Sequence, residues 1–298
     1  NEINKCNIIN EAIIHTGQHY DKSMSEFFFV NFKKKIKLIN LNINNLNHSE
    51  MIAKMIIKLS KIFEKIKPNL VLLYGDTNST LAGALTASKH KMPIAHVEGG
   101  LRNFDLSIPE DVNRIITDRI SNLIFYSTKV AKRNLLSEGF RKFPCKLVKT
   151  DDLLSDSVYG NINYARKKST ILDQLKLNNA KQKFILLTIH RDKSLNRKNL
   201  ANIFNAINII AKKILVIFPI HPNSSKKLKK QKVQLSGNIL KIPPVNYTDM
   251  LKLLDACENV ITDSGGLQRE AYILKKKSLL VLDYTPWEEL VKSKCAVT

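Results

Sequence analysis

Short, continuous apolar runs recur along this chain of 298 residues, and they limit the folds that it can adopt. The runs are LVLLYG (70–75), PIAHVEGG (93–100), NLIFYST (122–128), KLVKT (146–150), FILLTIH (184–190), ILVIFPIH (214–221), NVITDS (259–264) and LLVLD (279–283). Each has the length of a strand, and its apolar residues follow one another instead of alternating with polar ones. Such strands are typical of a parallel sheet that is covered on both faces.

Helical patterns separate these strands. Residues 199–212 show one, and residues 49–65 show another. In the second pattern the apolar residues at helical spacing are Met51, Met55, Ile56, Leu59 and Phe63. Strands that alternate with helices predict a parallel α/β sheet.

A polar segment at residues 161–183, rich in Lys and Asn, separates two such series of strands and helices. We therefore predict two doubly wound, Rossmann-like domains, residues 1–160 and 161–298, that face a cleft. Sheets of this kind bind ligands outside the carboxyl ends of their strands. Polar residues directly after strands are therefore the functional candidates.

Composition favours a globular protein and argues against several kinds of site. With 44% hydrophobic residues, the chain can bury a sizeable core. Its four cysteines, Cys6, Cys145, Cys257 and Cys295, form no CxxC pair, so neither a zinc site nor a disulfide framework is indicated. We expect a reducing, cytoplasmic setting. No apolar stretch reaches about 18 residues, so we expect no membrane partner.

The formal net charge of +22 raises the alternative of a nucleic-acid-binding protein, because a basic domain is a footprint of phosphate binding. The lysines, however, are spread along the chain together with many asparagines. The basic runs at 33–37 and 226–232 contain no interleaved aromatic residues on which bases could stack. We therefore expect no specific nucleic-acid partner, and weak binding to polyanions stays open.

The segment NVITDSGGLQREA (259–271) runs from a strand through Ser264, Gly265 and Gly266 into a predicted helix. The first backbone N–H groups of a helix have no partner within it, so they can form a cradle for an anion. For the glycines alone, a tight turn in which they only relieve backbone strain is an alternative of about equal weight.

Carboxylates and histidines follow several of the predicted strands. Asp76 and Glu98 follow two strands in the first half, and His190 and His221 follow two in the second half. Glu110 lies at a predicted helix start, where the helix dipole alone favours an acid. Each residue by itself has a structural interpretation as a surface, capping or buried group. Together they indicate acid/base chemistry.

Six longer segments, in order over nearly the whole chain, carry a family resemblance. They are HTGQHYDKSMSEFF (15–28), YGDTNSTLAGALTASK (74–89), AHVEGGLRNFDLSIPEDVNR (95–114), TIHR (188–191), HPN (221–223) and TDSGGLQREA (262–271). These segments resemble the non-hydrolysing UDP-N-acetylglucosamine 2-epimerase family. The first of them, together with DYTPWEELV (283–291), is most similar to the branch acting on UDP-2,3-diacetamido-2,3-dideoxyglucuronate, a lipopolysaccharide O-antigen precursor.

The resemblance implies a glycosyltransferase-B-like fold, and it implies that the anion at the glycine-containing turn is the diphosphate of UDP. The catalytic residues that it implies are Asp76, Glu98, Glu110 and His190. The UDP-binding residues that it implies are His221, Ser264, Gly265, Gly266 and Glu270. It also implies a second, regulatory sugar-nucleotide site at Gln18 and His19.

The reaction implied by the resemblance inverts C2 of a UDP-2-acetamido sugar by elimination and re-addition of UDP. The C2 hydrogen of such a sugar is not acidic, so a carboxylate can remove it only as the C1–O bond to UDP loosens. Another carboxylate then returns a proton to the opposite face. We therefore expect no nicotinamide, metal or other cofactor, and a homodimer that binds a UDP-sugar for surface polysaccharide synthesis.

Two alternatives stay open beside this enzyme. One is a glycosyltransferase of the same fold, which three carboxylates suited to proton transfer at carbon disfavour. The other is a non-catalytic UDP-sugar binder. The resemblance implies that the first strand of the first domain and the last helices of the second are missing. We therefore expect a chain truncated at both ends.

Overall fold

The computed structural model describes residues 8–18, 37–177, 182–191, 193–282, 285 and 287–298. It divides the chain into two compact units, Asn1–Asp152 and Leu153–Thr298. Both units are built from parallel strands and helices, which confirms the predicted α/β class with parallel sheets.

The first unit contains a parallel strand pair and a four-stranded parallel sheet. Its strands are β1 (Ala12–His15), β2 (Lys37–Asn40), β3 (Val71–Tyr74), β4 (Ile94–Val97), β5 (Leu123–Tyr126) and β6 (Lys146–Lys149). Its helices are α1 (His48–Ile66), α2 (Asn78–Lys89), α3 (Pro109–Ile120) and α4 (Lys129–Ser137). The sheet has the order β3-β4-β5-β6, and within the described ranges β1 pairs with β2 alone.

Helix α1 forms where the apolar spacing predicts it. The side chain of Asn47 caps its start by accepting the Glu50 N–H, and the helix ends at Lys67 in a left-handed conformation with φ 50°. Its buried residues recur at helical spacing and pack into the core of the first unit. They are Met51, Met55, Leu59 and Phe63.

Helix α2 lies close against β3 because it is built from small residues. A Cβ atom added to Gly83 would come within 2.6 Å of Leu73 Cδ2, so no larger residue fits there without a shift. Ala82, Ala84 and Ala87 of the same helix are fully buried. This close packing positions the turn between β3 and α2, which carries Asp76.

The second unit contains one six-stranded parallel sheet. Its strands are β7 (Phe184–Thr188), β8 (Leu215–Pro219), β9 (Ile239–Ile242), β10 (Asn259–Thr262), β11 (Lys277–Leu280) and β12 (Ala296–Val297). Its helices are α5 (Leu153–Lys168), α6 (Ile171–Gln174), α7 (Arg197–Ala211), α8 (Pro222–Lys230), α9 (Tyr247–Ala256), α10 (Gly265–Ile273) and α11 (Glu288–Lys292). The order β12-β11-β10-β7-β8-β9 makes β7 and β10 adjacent at the centre.

The polar composition predicted a division between the units at residue 161. The structure places the division earlier, directly before α5. Val158, Ile162 and Ala165 of α5 pack with Leu251 of α9 in one buried cluster. Arg166 also donates two hydrogen bonds of 2.8 Å to the Asp255 carboxylate. The helix therefore belongs to the second unit.

The apolar runs of the second unit are used to build its core. Two buried clusters include alternate residues of β7, with Leu187 in one cluster and Leu186 in the other. The strand is therefore covered on both faces, as its continuous apolar sequence predicts. None of the helices in the described ranges has an apolar stretch of the length that a membrane crossing needs.

We expect Phe218→Ala to lower the free energy of unfolding of the second unit by about 3–5 kcal/mol, because the change leaves a cavity. Phe218 is fully buried, and its ring centroid lies 5.8 Å from that of Phe204. The control Ile209→Ala, at a side chain that is 64% exposed, should change stability by less than about 0.5 kcal/mol. Denaturant unfolding followed by the single tryptophan, Trp287, measures both, and equal effects would contradict the expectation.

Candidate functional site

Asp76 in the first unit lies in the turn after β3 and is held by α3. Its carboxylate Oδ2 accepts a hydrogen bond from Arg114 Nη1 at 2.7 Å, and its backbone carbonyl accepts one from Asn113 Nδ2 at 2.9 Å. Arg114 and Asn113 are almost completely buried, whereas Asp76 is partly open to solvent. The carboxylate is therefore fixed in orientation while one side of it stays accessible.

Arg114 belongs to a wider polar network that sequence analysis did not single out. Its guanidinium also donates to Asp111 at 3.0 Å and to the side chain of Asn103. The fully buried Asp111 carboxylate accepts the backbone N–H groups of Asn103 and Asp105 at 2.9 and 3.2 Å. The network ties the loop before α3 to the helix that holds Asp76.

Glu98 follows β4 and lies beside the Asp76 turn. Its backbone is left-handed, with φ 72°, which is uncommon for a residue with a side chain. Its Oε2 atom lies 3.7 Å from the position that a Cβ atom of Gly75 would occupy. Strained backbone of this kind is concentrated at functional sites, where surrounding contacts maintain it.

The pKa of Glu98 is raised to about 7. Burial of the carboxyl group is the largest cause, and the negative charges of Asp76 and Asp152 add to it. Arg114 and His96 act in the opposite direction. Near neutral pH the group is therefore present in both protonated and ionised forms, which is the property that a general acid or base requires.

Glu110, the third predicted catalytic carboxylate, lies in the first turn of α3. It precedes Arg114 by four residues, so the two side chains share one face of the helix. The structure thus brings Asp76 and Glu98 close together. Glu110 lies one helical turn before Arg114, which holds Asp76.

Gln18, predicted for a second nucleotide site, contacts the start of α2. Its Oε1 atom accepts the Ser79 backbone N–H at 3.2 Å and the Ser79 hydroxyl at 3.1 Å. The hydroxyls of Thr16 and Ser79 lie 2.6 Å apart. His19, the other residue predicted for that site, lies outside the described residues.

In the second unit, the adjacent strands β7 and β10 bring His190 and Asp263 together. The Asp263 carboxylate accepts the backbone N–H groups of His190, at 3.0 Å, and of Arg191, at 2.8 Å. Its Oδ1 atom also lies 3.3 Å from His190 Nδ1. Asp263 is buried and His190 is half-exposed, so a fixed carboxylate orients a histidine that solvent can reach.

Ser264, the next residue, caps the N-terminus of α10. Its hydroxyl oxygen accepts the Leu267 N–H at 3.3 Å, and its own N–H donates to Thr262 Oγ1 at 2.9 Å. Arg191 lies close to the same helix end, because its Nη2 atom is 3.7 Å from where a Cβ atom of Gly265 would be. A helix N-terminus with a neighbouring guanidinium is well suited to bind an anion.

Gly265 and Gly266 are not required by the backbone of this turn. Neither has a positive φ. An added Cβ atom would meet nothing closer than 3.7 Å at Gly265 and 4.0 Å at Gly266. The interpretation that glycine only relieves strain here therefore lacks support, and the space that the missing side chains leave is open to a ligand.

Glu270 lies one turn into α10, at a buried position. Burial raises the pKa of its carboxyl group to about 7, and a hydrogen bond from Tyr247 partly opposes that rise. The Tyr247 hydroxyl lies 3.3 Å from Ser157 Oγ, so α5, α9 and α10 are linked by polar contacts. Glu270 is therefore an oriented acceptor at the predicted UDP-binding helix.

His221 caps the N-terminus of α8, directly after β8. Its Nδ1 atom accepts the Asn223 N–H at 3.2 Å, and the side chain is exposed. The ring nitrogen that faces the helix is thus an acceptor, which leaves Nε2 as the donor to a ligand.

Three further residues contact the predicted site residues: Asp263, Arg191 and Arg114. In the sequence, the only indication of them was a position directly after a strand or in a loop rich in charged residues.

Comparison with known families gives a match over the whole chain. The sequence profile of the family described as UDP-N-acetylglucosamine 2-epimerase matches residues 1–298. A UDP-N-acetylglucosamine 2-epimerase homolog of Methanococcus maripaludis is 42% identical over 287 residues, which are 94% of this chain and 78% of that protein. The UDP-2,3-diacetamido-2,3-dideoxy-D-glucuronate 2-epimerase of Pseudomonas aeruginosa is 38% identical over 285 residues, 95% of this chain and 78% of that protein.

A solved structure is similar in fold as well as in sequence. It is the crystal structure of the UDP-GlcNAc 2-epimerase of Methanocaldococcus jannaschii in complex with UDP-GlcNAc and UDP. The TM-score is 0.90 at 38% identity, over 99% of this chain and 82% of that one. The resemblance drawn from the sequence motifs is confirmed.

We expect Glu98→Gln to stabilise the protein at pH 8 relative to the parent. Because the pKa of Glu98 in the folded state is raised from 4.5 to about 7, its contribution to stability is present below pH 4.5 and is lost as the pH rises through 7. The neutral glutamine avoids that loss. The difference in the free energy of unfolding between Glu98→Gln and the parent should therefore grow by up to about 3 kcal/mol from pH 5 to pH 8.

Urea unfolding of both proteins at pH 5 and pH 8 measures this difference. Glu64→Gln, at an exposed position of α1, is the matched control, because it removes one carboxyl group outside the buried cluster. A stability difference between Glu98→Gln and the parent that is the same at both pH values would contradict the raised pKa.

Proposed function

Because the chain belongs to the UDP-N-acetylglucosamine 2-epimerase family, as the profile match over residues 1–298 shows, we propose that it inverts C2 of a UDP-2-acetamido sugar. The observation that carries the proposal is the pair of carboxylates, Asp76 and Glu98, after two adjacent strands. One is fixed by Arg114 and the other has a pKa near 7. The substrate is UDP-GlcNAc or a UDP-2,3-diacetamido-glucuronate, since relatives named for these sugars are 39% and 38% identical to the chain.

The reaction divides into elimination and re-addition. In the first step the C1–O bond to UDP and the C2–H bond break, and a C1–C2 double bond forms in the resulting glycal. In the second step UDP adds back to C1, and a proton is delivered to the other face of C2. Two acid/base groups that can exchange roles are required, and a carboxyl group with a pKa near the working pH is suited to this.

Each unit supplies a different part of this chemistry. In the second unit, the N-terminus of α10, Arg191 and His190 bind the diphosphate and take up the negative charge that develops as it leaves. Glu270 and His221 supply further polar contacts to the nucleotide. In the first unit, Asp76, Glu98 and Glu110 are the carboxylates of which one removes the proton from C2 and another returns a proton to it. Stabilisation of the leaving group lowers the barrier for removal of a weakly acidic proton.

The predicted homodimer, the cytoplasmic location and the role in surface polysaccharide synthesis belong to this proposal. They are consistent with a family of sugar-nucleotide enzymes, and light scattering of the purified protein tests the dimer directly. A regulatory nucleotide site at Gln18 and His19 also stays a prediction. It is supported by the contact of Gln18 with Ser79 in the first turn of α2, because anions are favoured at the N-terminus of a helix.

We expect Asp76→Asn and Glu98→Gln each to lower epimerisation of UDP-GlcNAc by about 100-fold or more, the effect of removing a general acid or base. UDP affinity should change little, because the proposed diphosphate contacts lie in the other unit. Turnover in deuterated water, with deuterium at C2 followed by NMR, is the measurement. Glu64→Gln is the control. Unchanged deuterium incorporation in both site variants would reject the assignment, and a parent that transfers the sugar instead would identify a glycosyltransferase.

We expect Gly265→Val to weaken UDP binding by about tenfold or more while the protein stays folded. The added Cβ atom has room within the protein, so the side chain obstructs the approach of a ligand and not the packing of the turn. Gly237→Val, at another glycine with open surroundings, is the matched control. Calorimetric titration with UDP and thermal unfolding separate the two effects. A folded variant that binds UDP as tightly as the parent would place the anion elsewhere.

A further inference from the structure

His96 is a fully buried histidine on β4, and both of its ring nitrogens face acceptors. Nε2 lies 2.8 Å from the backbone carbonyl oxygen of Gly75, and Nδ1 lies 2.7 Å from Asp118 Oδ1. A carbonyl oxygen only accepts, so Nε2 carries a proton. If Asp118 is ionised, Nδ1 carries one too. A neutral imidazole can satisfy only one of these two contacts as a donor.

The other contacts of Asp118 favour its ionised form. Its Oδ2 atom accepts hydrogen bonds from Arg102 Nη1 at 2.8 Å and from the Gly100 backbone N–H at 2.9 Å. Burial by itself would raise the pKa of Asp118, but the hydrogen bond and charge of His96, the charge of Arg102 and the Gly100 N–H together lower it. Asp118 is therefore a buried carboxylate with donors on both oxygens.

The environment of His96 favours a charged ring for the same reason. Burial would lower the pKa of His96, but the hydrogen bond and charge of Asp118, the Gly75 carbonyl and the charge of Glu98 raise it above the ordinary value. Arg102, the second cation at Asp118, is itself held by Glu138 through hydrogen bonds of 2.7 and 2.8 Å. With His96 protonated, two cations, His96 and Arg102, pair with two anions, the buried Asp118 and the partly exposed Glu138.

The position of His96 links the two turns that carry the proposed acid/base groups. Its Nε2–H group holds the carbonyl of Gly75, which has φ 65° and directly precedes Asp76. Glu98 comes two residues after His96 on the same chain segment. The segment is also closely packed, because a Cβ atom added to Gly99 would lie 2.5 Å from Asp118 Oδ1.

We propose that His96 is a positioning residue, a buried imidazolium that fixes the Asp76 and Glu98 turns relative to each other and places a positive charge near the Glu98 carboxylate. Its role in proton transfer rests on the function proposed above, whereas its charge state does not. Asp118 faces it from α3, Gly75 from the end of β3, and Glu98 from its own segment. Glu98 in turn is faced by Asp76, Asp152, Arg114 and His96.

The first experiment tests the charge of His96 in the parent protein, without turnover. In ¹⁵N NMR of histidine-labelled protein, both His96 nitrogens should stay protonated at pH 8, where an ordinary histidine with a pKa of about 6.5 is neutral. The signal is recognised by slow exchange with solvent, since His96 alone is fully buried among the histidines in the described part of the chain. A neutral ring at pH 8 would overturn the proposal whatever the activity of the enzyme.

The second experiment tests positioning with His96→Gln, which keeps one donor and loses the charge. The pKa of Glu98, measured by ¹³C NMR of the carboxyl carbon, should rise by about half a unit or more, because a nearby positive charge is removed. Epimerisation of UDP-GlcNAc should show kcat lowered by about 100-fold with KM little changed, as expected for displaced catalytic groups. The apparent pKa in the pH dependence of kcat should rise together with the pKa of Glu98.

His90→Gln is the matched control, because His90 is also a hydrogen-bonded histidine of the first unit, with Nε2 2.8 Å from Ser60 Oγ. It should leave the pKa of Glu98 and kcat unchanged. A folded His96→Gln protein with an unchanged Glu98 pKa and unchanged kcat would overturn the positioning role. If the parent has no epimerase activity, the proposed function fails, while the two NMR measurements still decide the charge of His96 and its effect on Glu98.

Discussion

Parallel pairing of strands is the constraint on which both candidate sites depend. In a parallel sheet the carboxyl ends of all strands lie along one edge, so the residues that follow neighbouring strands meet there. The pairing of β3 with β4 brings Asp76 and Glu98 together, and the pairing of β7 with β10 does the same for His190 and Asp263. Residues far apart in the chain thus become neighbours through backbone hydrogen bonds alone.

Buried charges then determine how these residues are oriented. Arg114 holds Asp76, and Asp263 holds the backbone at His190 and Arg191. Burying a charge is costly unless it is paired and hydrogen-bonded, so each of these groups is surrounded by partners. The same burial raises the pKa of Glu98. Hence the burial that requires partners for these groups also gives Glu98 the raised pKa on which its proposed role in proton transfer depends.

Each of the two units offers a different kind of functional group. The second unit offers donors and positive charge at a helix N-terminus, and the first offers carboxylates with different surroundings. A reaction that expels a diphosphate and moves a proton at the adjacent carbon needs both kinds of group. Relatives named for UDP-GlcNAc and for a UDP-diacetamido-glucuronate are 39% and 38% identical to this chain, in keeping with the proposed reaction.

The sequence by itself determined the class of fold, the family and most of the candidate residues. Continuous apolar runs indicate parallel sheets because periodicity is a local property, and the positions of Asp76, Glu98, His190 and Ser264 after strands follow from chain order. The segment 262–271 predicted the capped helix start that α10 shows. These features need no knowledge of which strands pair.

Only the tertiary structure decided the partners of these residues. His96, Asp118 and Arg114 look ordinary in the sequence, since a buried ion network joins residues from different elements and has no periodic signal. The structure divides the two units after Asp152 and not at residue 161. Helix α5 belongs to the second unit because it packs against α9, and the polar composition of the segment does not reveal that contact. A pKa near 7 at Glu98 likewise depends on burial and on the charges of other segments, which exist only once the chain has folded.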